Sequence, residues 1–213
     1  MEIKLQSKTL LRGSILSLQF SRPAGLVFEA GDYVELSMGQ HGKRWLSIAS
    51  SPSEPFLRFI VKINKNSDFK KALALLPIGG SAHVSPALGT FNLTATPKSL
   101  LFVAGGIGIT PFLSLLEYHY EKNLTHLITV LYAAKPGEHI ELETLSRYNA
   151  SVAYLERRPR LDDLVTFTPN LKGHTVYLAG PEPLCIELEQ ELAGFGLPKK
   201  QRKLSYFEGY EEL

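Results

Sequence analysis

The sequence predicts a two-domain β plus α/β protein, with an antiparallel β-barrel over residues 1–97 followed by a parallel α/β sheet over residues 98–213. Three observations carry this. Up to about residue 97, short runs rich in β-branched and aromatic residues are separated by turn residues, and only one segment has helical spacing. From Ser99 onward, apolar strand candidates alternate with helix candidates, the pattern of a parallel sheet wrapped by helices. Between the two textures, TATPKS, with its proline, reads as a linker.

In the first domain the strand candidates are IKLQSKTLL, SILSLQF, DYVELSM, RWLSIAS, FLRFIVKI and SAHVSPAL. Its one helix candidate, SDFKKALALL, opens with Ser67, a residue type that satisfies free amides at helix starts. The second domain opens with LLFVA, a continuous apolar run suited to a central parallel strand buried on both faces. Ile109, Phe112, Leu113, Leu116 and Tyr120 then follow a helical spacing, with Thr110 placed to cap and Pro111 suited to the first turn. HLITVLYAA, SVAYLE and TVYLAG read as further strands separated by helices, a helix begins near Glu182, and KLSYF is the last strand.

With 23 basic and 21 acidic residues, the net charge of +2 gives no case for nucleic acid or an anionic membrane as partner. No stretch approaches the ~18 apolar residues of a membrane span, and MEIKLQSKTLLRGS lacks a signal-peptide core, so a cytoplasmic location is expected. Cys185 is the single cysteine, which excludes an internal disulfide and a four-thiolate iron-sulfur cluster held by this chain alone. It reads as a packed, inert thiol. His83 and His174 lie near strand candidates and are assigned no role.

The chemistry concentrates in turns. Gly105, Gly106 and Gly108 lie between a strand and a helix, where absent side chains let backbone amides approach an anion and the helix N-terminus adds partial positive charge. The run is a candidate pyrophosphate cradle, with a tight turn that binds nothing as the alternative; it is not the G-x-G-x-x-G fingerprint. In Arg44-Trp45-Leu46-Ser47, alternation offers a guanidinium for phosphate and a hydroxyl for a ring edge, a surface arginine being the alternative. Ser67 starts a helix candidate whose amides, through Asp68, Phe69, Lys70 and Lys71, would be available to a second phosphate. Ser85-Pro86-Ala87-Leu88-Gly89-Thr90-Phe91 closes the barrel, and Ala179-Gly180-Pro181 places another bare turn on the carboxyl edge of the parallel sheet.

In this chain order the sequence resembles the ferredoxin-NADP reductase superfamily of flavoproteins over nearly its whole length. The resemblance rests on GGIGITP (Gly105 to Pro111), RWLSIASSP (Arg44 to Pro52), SDFKKAL, SPALGTF, AGP and the closing SYFEGY. It implies a barrel that binds FAD, with FMN the alternative, and a Rossmann-like sheet that binds NADPH or NADH. Arg44 would hold the FAD diphosphate with the amides from Ser67 to Lys71, alongside Trp45, Leu46, Gly89 and Thr90. Ser47 would bond near the flavin's reacting nitrogen, Gly105 through Pro111 with Gly180 and Pro181 would seat the coenzyme, and Phe207, or else Tyr210, would cover the flavin. Three positions depart from the family pattern. Leu46 stands where a tyrosine usually packs on the flavin, so one aromatic wall is either missing or supplied by Trp45; Ala179 replaces a cysteine beside the nicotinamide; and Ser205 takes an acidic position, so no proton relay is expected there.

The implied activity is hydride transfer from the coenzyme to the flavin, with electrons passed to a ferredoxin or flavodoxin. Alternatives are a reductase of free flavin or quinone, and a catalytically silent nucleotide-binding subunit. No iron-sulfur or globin module is recognisable in the sequence, so a separate acceptor is expected. Lys4, Lys8, Arg12, Lys43, Lys62, Lys65, Lys70 and Lys71 form a basic first domain that would steer an acidic partner, or an ordinary solvated surface. Lys135, with Arg157, Arg158 and Arg160 after the next strand, favours NADPH over NADH, against the alternative of surface charges pointing away.

Overall fold

A computed structural model of the chain describes residues 1–64, 66–93 and 99–207, the Phe207 side chain excepted. The expected boundary at residue 97, the linker segment 94–98, Lys65 and Tyr210 lie outside the described residues. Strands β1 (Glu2–Arg12), β2 (Ile15–Ser21), β3 (Tyr33–Ser37), β4 (Lys43–Ser47), β5 (Phe56–Lys62) and β6 (Ser81–Val84) form one antiparallel sheet in the order β4-β3-β6-β1-β2-β5. Its interior is built by alternation: Ile3, Leu5, Leu18, Phe20, Leu36 and Phe59 are buried together, and helix α1 (Asp68–Leu75) adds Phe69 and Leu73.

The expected antiparallel barrel is borne out as a barrel-like sheet that no β4–β5 ladder closes. β4 and β5 stand at opposite ends of the strand order, and the chain leaving β4 reaches β5 through the Ala49 amide, which donates to the Arg58 carbonyl at 2.8 Å, and the Ser50 hydroxyl, which accepts from the Arg58 amide at 3.0 Å. Pro52 and Pro55 follow at once and lack the amides a continuing ladder needs.

The second sheet contains β7 (Ser99–Gly105), β8 (Leu127–Ala133), β9 (Ala150–Leu155), β10 (Thr175–Pro181) and β11 (Arg202–Phe207), all parallel to their neighbours, in the order β11-β10-β7-β8-β9. Helices α2 (Ile109–Glu121), α3 (Leu142–Ser146), α4 (Leu161–Phe167) and α5 (Glu182–Gly194) connect and cover it. β10 is buried at every residue and β7 at all but Ser99, as their unbroken apolar runs require. The chain travels outward in one direction from β7 and in the other from β10, so the topological switch point, where open α/β sheets bind ligands, lies between the carboxyl ends of these two strands.

The two sheets share a core. Ile15, Ala49, Ile60 and Phe91 of the first pack into one cluster with Phe102, Phe112 and Tyr177 of the second. The Phe102 and Phe112 rings stack at 4.6 Å, and Phe91 meets Tyr177 edge-on at 5.2 Å.

Candidate functional site

The glycine turn occupies the switch point. Gly105 ends β7, a 3-10 turn spans Gly106–Gly108, and α2 follows without a break. The glycines are bare for different reasons. A β-carbon on Gly108 would stand 2.2 Å from the Ala179 carbonyl oxygen, and one on Gly180 would stand 3.1 Å from Gly105 backbone atoms, so both let the ends of β7 and β10 close on each other. Gly106 has φ +55°, and a β-carbon there meets nothing within 4 Å. Its open side leaves room for a ligand, and its left-handed backbone favours glycine.

Thr110 does not cap the helix as expected. The 3-10 turn moves the N-cap to Gly108, and the Thr110 hydroxyl, buried inside the first turn, donates to the Ile107 carbonyl at 2.6 Å. Pro111 does sit in the first turn.

The Arg44 segment lies on β4, where alternation places Arg44 and Leu46 on one face and Trp45 and Ser47 on the other. Leu46 packs on the barrel core, and the Arg44 guanidinium lies 5.8 Å from the centre of the Phe69 ring. Trp45 is half exposed and meets Tyr33 edge-on at 5.4 Å, so it presents its ring on the face opposite Leu46. Ser47 is buried at the end of the strand, opposite Tyr33. Beyond it the segment is tied to α2: the Ser114 hydroxyl donates to the Ser50 carbonyl at 2.7 Å, and the Ser51 hydroxyl donates to Glu121 at 2.7 Å.

Ser67 caps α1 as expected, its hydroxyl accepting from the Lys70 amide at 3.3 Å, while the Lys71 amide donates to the Ser67 carbonyl at 3.0 Å. An anion placed here would meet the amides of Asp68 and Phe69 and the surrounding cations. Burial, then the nearby Arg44 and Lys62, push the Lys70 ammonium down to about 8. Cations held this close are what a diphosphate would relieve.

Gly89 packs on Asp32, where a β-carbon would stand 2.5 Å from its carboxylate. Lys203 on β11 donates to the carbonyls of Thr90 at 3.1 Å and Asn92 at 2.9 Å, fixing this segment to the second sheet. Nothing local in the sequence marks Lys203, whose partners lie more than a hundred positions away. Phe207 pairs in register with Pro181, which brings its backbone to the carboxyl edge beside the glycine turn.

The charges behave differently from expectation at two places. Arg157 is held by Asp163 through two bonds of 2.7 and 2.6 Å, and Arg158 pairs with Glu187 at 3.0 Å, so Lys135 is not joined by an uncommitted arginine pair. In the basic first domain, Lys43 pairs with Glu35, Lys62 with Glu138 and Lys71 with Asp68, while Lys8 donates to the Ala74 and Leu76 carbonyls at the end of α1. Cys185 is buried, and burial pushes its thiol up to about 12, in keeping with an inert role.

The whole chain superposes on known two-domain reductases. It aligns with the FAD/NAD-binding domain of a flavohem-like nitric oxide dioxygenase from Vibrio cholerae O1 biovar El Tor at a TM-score of 0.83 and 19% identity, covering 97% of this chain and 98% of the other. Against ferredoxin-NADP+ reductase from Plasmodium falciparum the TM-score is 0.80 at 20% identity, covering 97% and 95%. The chain shares the two-domain fold of these proteins. Among curated proteins, the chain is 24% identical over 215 residues to a flavohemoprotein of Burkholderia sp. (strain TH2), covering 88% of this chain and 54% of that protein. It is 27% identical over 199 residues to the toluate 1,2-dioxygenase electron transfer component of Pseudomonas putida, covering 85% and 59%. The chain thus spans about half the length of the curated relatives it matches. No protein-family model matches it. Among the described residues no helix is long and apolar enough to cross a membrane, and no cluster of side chains could hold a metal ion.

Proposed function

We propose that the chain is an NAD(P)H-dependent flavoprotein reductase that takes a hydride from the coenzyme to FAD and passes electrons to a separate acceptor. The observation that carries this reading is the glycine turn at the switch point, open at Gly106 and tied through α2 to the segment following Arg44. When bound, FAD supplies the hydride acceptor and the ability to release electrons one at a time.

The chain's own task is placement. Arg44, Lys70 and the start of α1 hold the FAD diphosphate, Gly106 and the N-terminus of α2 hold the coenzyme pyrophosphate, and the shared core fixes the distance between them. Trp45, Ser47, Gly89 and Thr90 line the flavin side, and Thr110, Pro111, Gly180 and Pro181 shape the coenzyme side. No acid-base residue is required for hydride transfer, so Ala179 and Ser205 do not silence the site.

The acceptor is read as a ferredoxin-like or oxygenase electron-transfer partner because the relatives include the toluate dioxygenase component. Coenzyme preference is read as NADPH through Lys135. Anaerobic addition of NADPH or NADH to the purified yellow protein tests the reading: bleaching of the flavin absorbance is expected, and a colourless protein that takes up no FAD refutes it. Turnover with ferredoxin against free flavin or quinone then separates the acceptors.

A further inference from the structure

Three cations of the first sheet close on one short segment of the second. The segment follows β8, whose last residue, Ala133, is in register with Gly105, so it leaves the carboxyl edge one strand spacing, about 4.8 Å, from the glycine turn. Arg12 donates to the Gly137 carbonyl at 3.1 Å, Lys62 donates to both oxygens of the Glu138 carboxylate at 2.8 and 2.7 Å, and Arg58 pairs with Glu141. Arg12 and Lys62, which in the sequence belong to a surface for an acidic partner, are thus engaged within the chain.

Arg58 and Glu141 form the most buried of these contacts, with side chains 20% and 7% exposed. Arg58 Nε donates to the Ser17 hydroxyl at 2.9 Å, and the Thr144 hydroxyl donates to the second Glu141 oxygen at 2.7 Å, so each partner is tied to its own side of the junction. The pair lines a polar cavity of about 250 Å³, so bonds rather than close packing fix the Glu141 carboxylate. Glu141 has φ +59°, and among the described residues the only other non-glycine with positive φ is Asn123. Asparagine tolerates that conformation through its short polar side chain; a glutamate stays there because its surroundings hold it. Glu141 is also the N-cap of α3, so releasing its carboxylate lets the backbone before the helix relax and re-aims the segment from Lys135 to Glu141.

We propose that Arg58 and Glu141 are positioning residues for the coenzyme: by holding the segment after β8 from the side of the first sheet, they make coenzyme affinity a property of that sheet as well as of the glycine turn. The inference rests on the coenzyme reading of that turn. Neither residue is asked to touch the coenzyme; Arg58 acts through Glu141, and Glu141 through the backbone of the segment. A buried ion pair is a weak source of net stability but a directional one, so its effect here is placement. A segment that without the pair keeps its receptive arrangement about a tenth of the time binds about tenfold more weakly, because apparent affinity scales with the competent fraction.

The test is calorimetric titration of ADP-ribose into the flavin-loaded full chain and its variants, with flavin content and thermal midpoint measured on the same samples. R58M removes the guanidinium and keeps an apolar stem; R58M/E141Q removes both charges, so no buried carboxylate is left unpaired and folding is spared. Both are expected to bind ADP-ribose about tenfold more weakly, the double variant with wild-type flavin content and a midpoint within about 4 °C of wild type. R58K, which keeps a cation within reach of Glu141, is expected to fall between the double variant and the wild type. An affinity within about twofold of wild type in R58M/E141Q overturns the positioning role. So does a loss of affinity matched by an equal loss of flavin, which marks general damage to the junction. Failure of the wild type itself to bind ADP-ribose, NADPH or NADH overturns the coenzyme reading from which the inference starts.

Discussion

Replacing Gly108 with alanine puts a methyl carbon 2.2 Å from the Ala179 carbonyl oxygen and 2.5 Å from its carbon, both backbone atoms at the end of β10. An ordinary contact is about 3.4 Å or more, so the ends of β7 and β10 have to part by roughly 1 Å, and no flexible side chain is available to yield. Overpacking of this kind costs about 1–3 kcal/mol, and rigid backbone on both sides places Gly108→Ala at the upper end. At roughly 2–4 °C per kcal/mol for a chain of this size, the thermal midpoint should fall by about 6–12 °C. Gly106→Asn is the companion variant. Asparagine tolerates the left-handed backbone at φ +55°, and its side chain enters space with nothing within 4 Å, so the loss of stability should stay below about 1 kcal/mol. That same space is the proposed seat of the pyrophosphate, so affinity for ADP-ribose should fall at least about tenfold, the loss of one charge-assisted contact. Scanning calorimetry and ADP-ribose titration of the two variants give a crossed result: stability lost in one, binding lost in the other. A midpoint within about 2 °C of wild type for Gly108→Ala, or undiminished binding by Gly106→Asn, refutes the separate roles assigned to the two glycines.

Arg44→Ala should release FAD while the far-ultraviolet dichroism stays unchanged, and wild-type flavin content in that variant would displace the diphosphate from α1. Lys135→Glu should lower the ratio of kcat/KM for NADPH over NADH, by up to about fivefold for a solvent-exposed charge; an unchanged ratio removes Lys135 from the ribose. Arg58→Ala leaves the nearly buried Glu141 carboxylate without its guanidinium, and should cost about 3 kcal/mol in denaturant unfolding, whereas a loss under about 1 kcal/mol would mean the pair is solvated. Burial, with Glu117 and Glu121 nearby, raises the Glu54 carboxyl. Its ionised form therefore opposes folding above its raised folded-state pKa, and that penalty fades as pH falls toward the unfolded value of about 4.3. Glu54→Gln should accordingly be more stable than wild type at pH 7 and lose that advantage near pH 4, as thermal midpoints against pH will show.

What could be read from the sequence was whatever short-range chemistry dictates. β7 and β10 were legible because a strand buried on both faces has to be continuously apolar, and the Ser67 cap because its partner amide is three residues away. The N-cap of α2 was misplaced by two residues because three residues of 3-10 helix leave no mark in hydrophobic periodicity. The barrel was legible as six short strands, but strand count says nothing about whether the first and last of them pair, and the two prolines after β4 mattered only once their neighbour was known. Arg157 and Arg158 looked available for a phosphate, yet whether an arginine is committed depends on acids from α4 and α5 brought up by the fold. The Arg58–Glu141 pair joins residues 83 positions apart and was invisible for the same reason.

Ile15, Ala49, Ile60 and Phe91 contribute to the same interior as Phe102, Phe112 and Tyr177. A seam of this kind makes the pair of domains the heritable part. Detaching the barrel would expose an aromatic surface to water, and substituting a foreign α/β domain would require refitting the stacked rings. Diversity in what such a protein reduces should therefore arise at its rim, or in modules joined to the pair as a whole, while the seam drifts slowly and only by compensated changes on both sides.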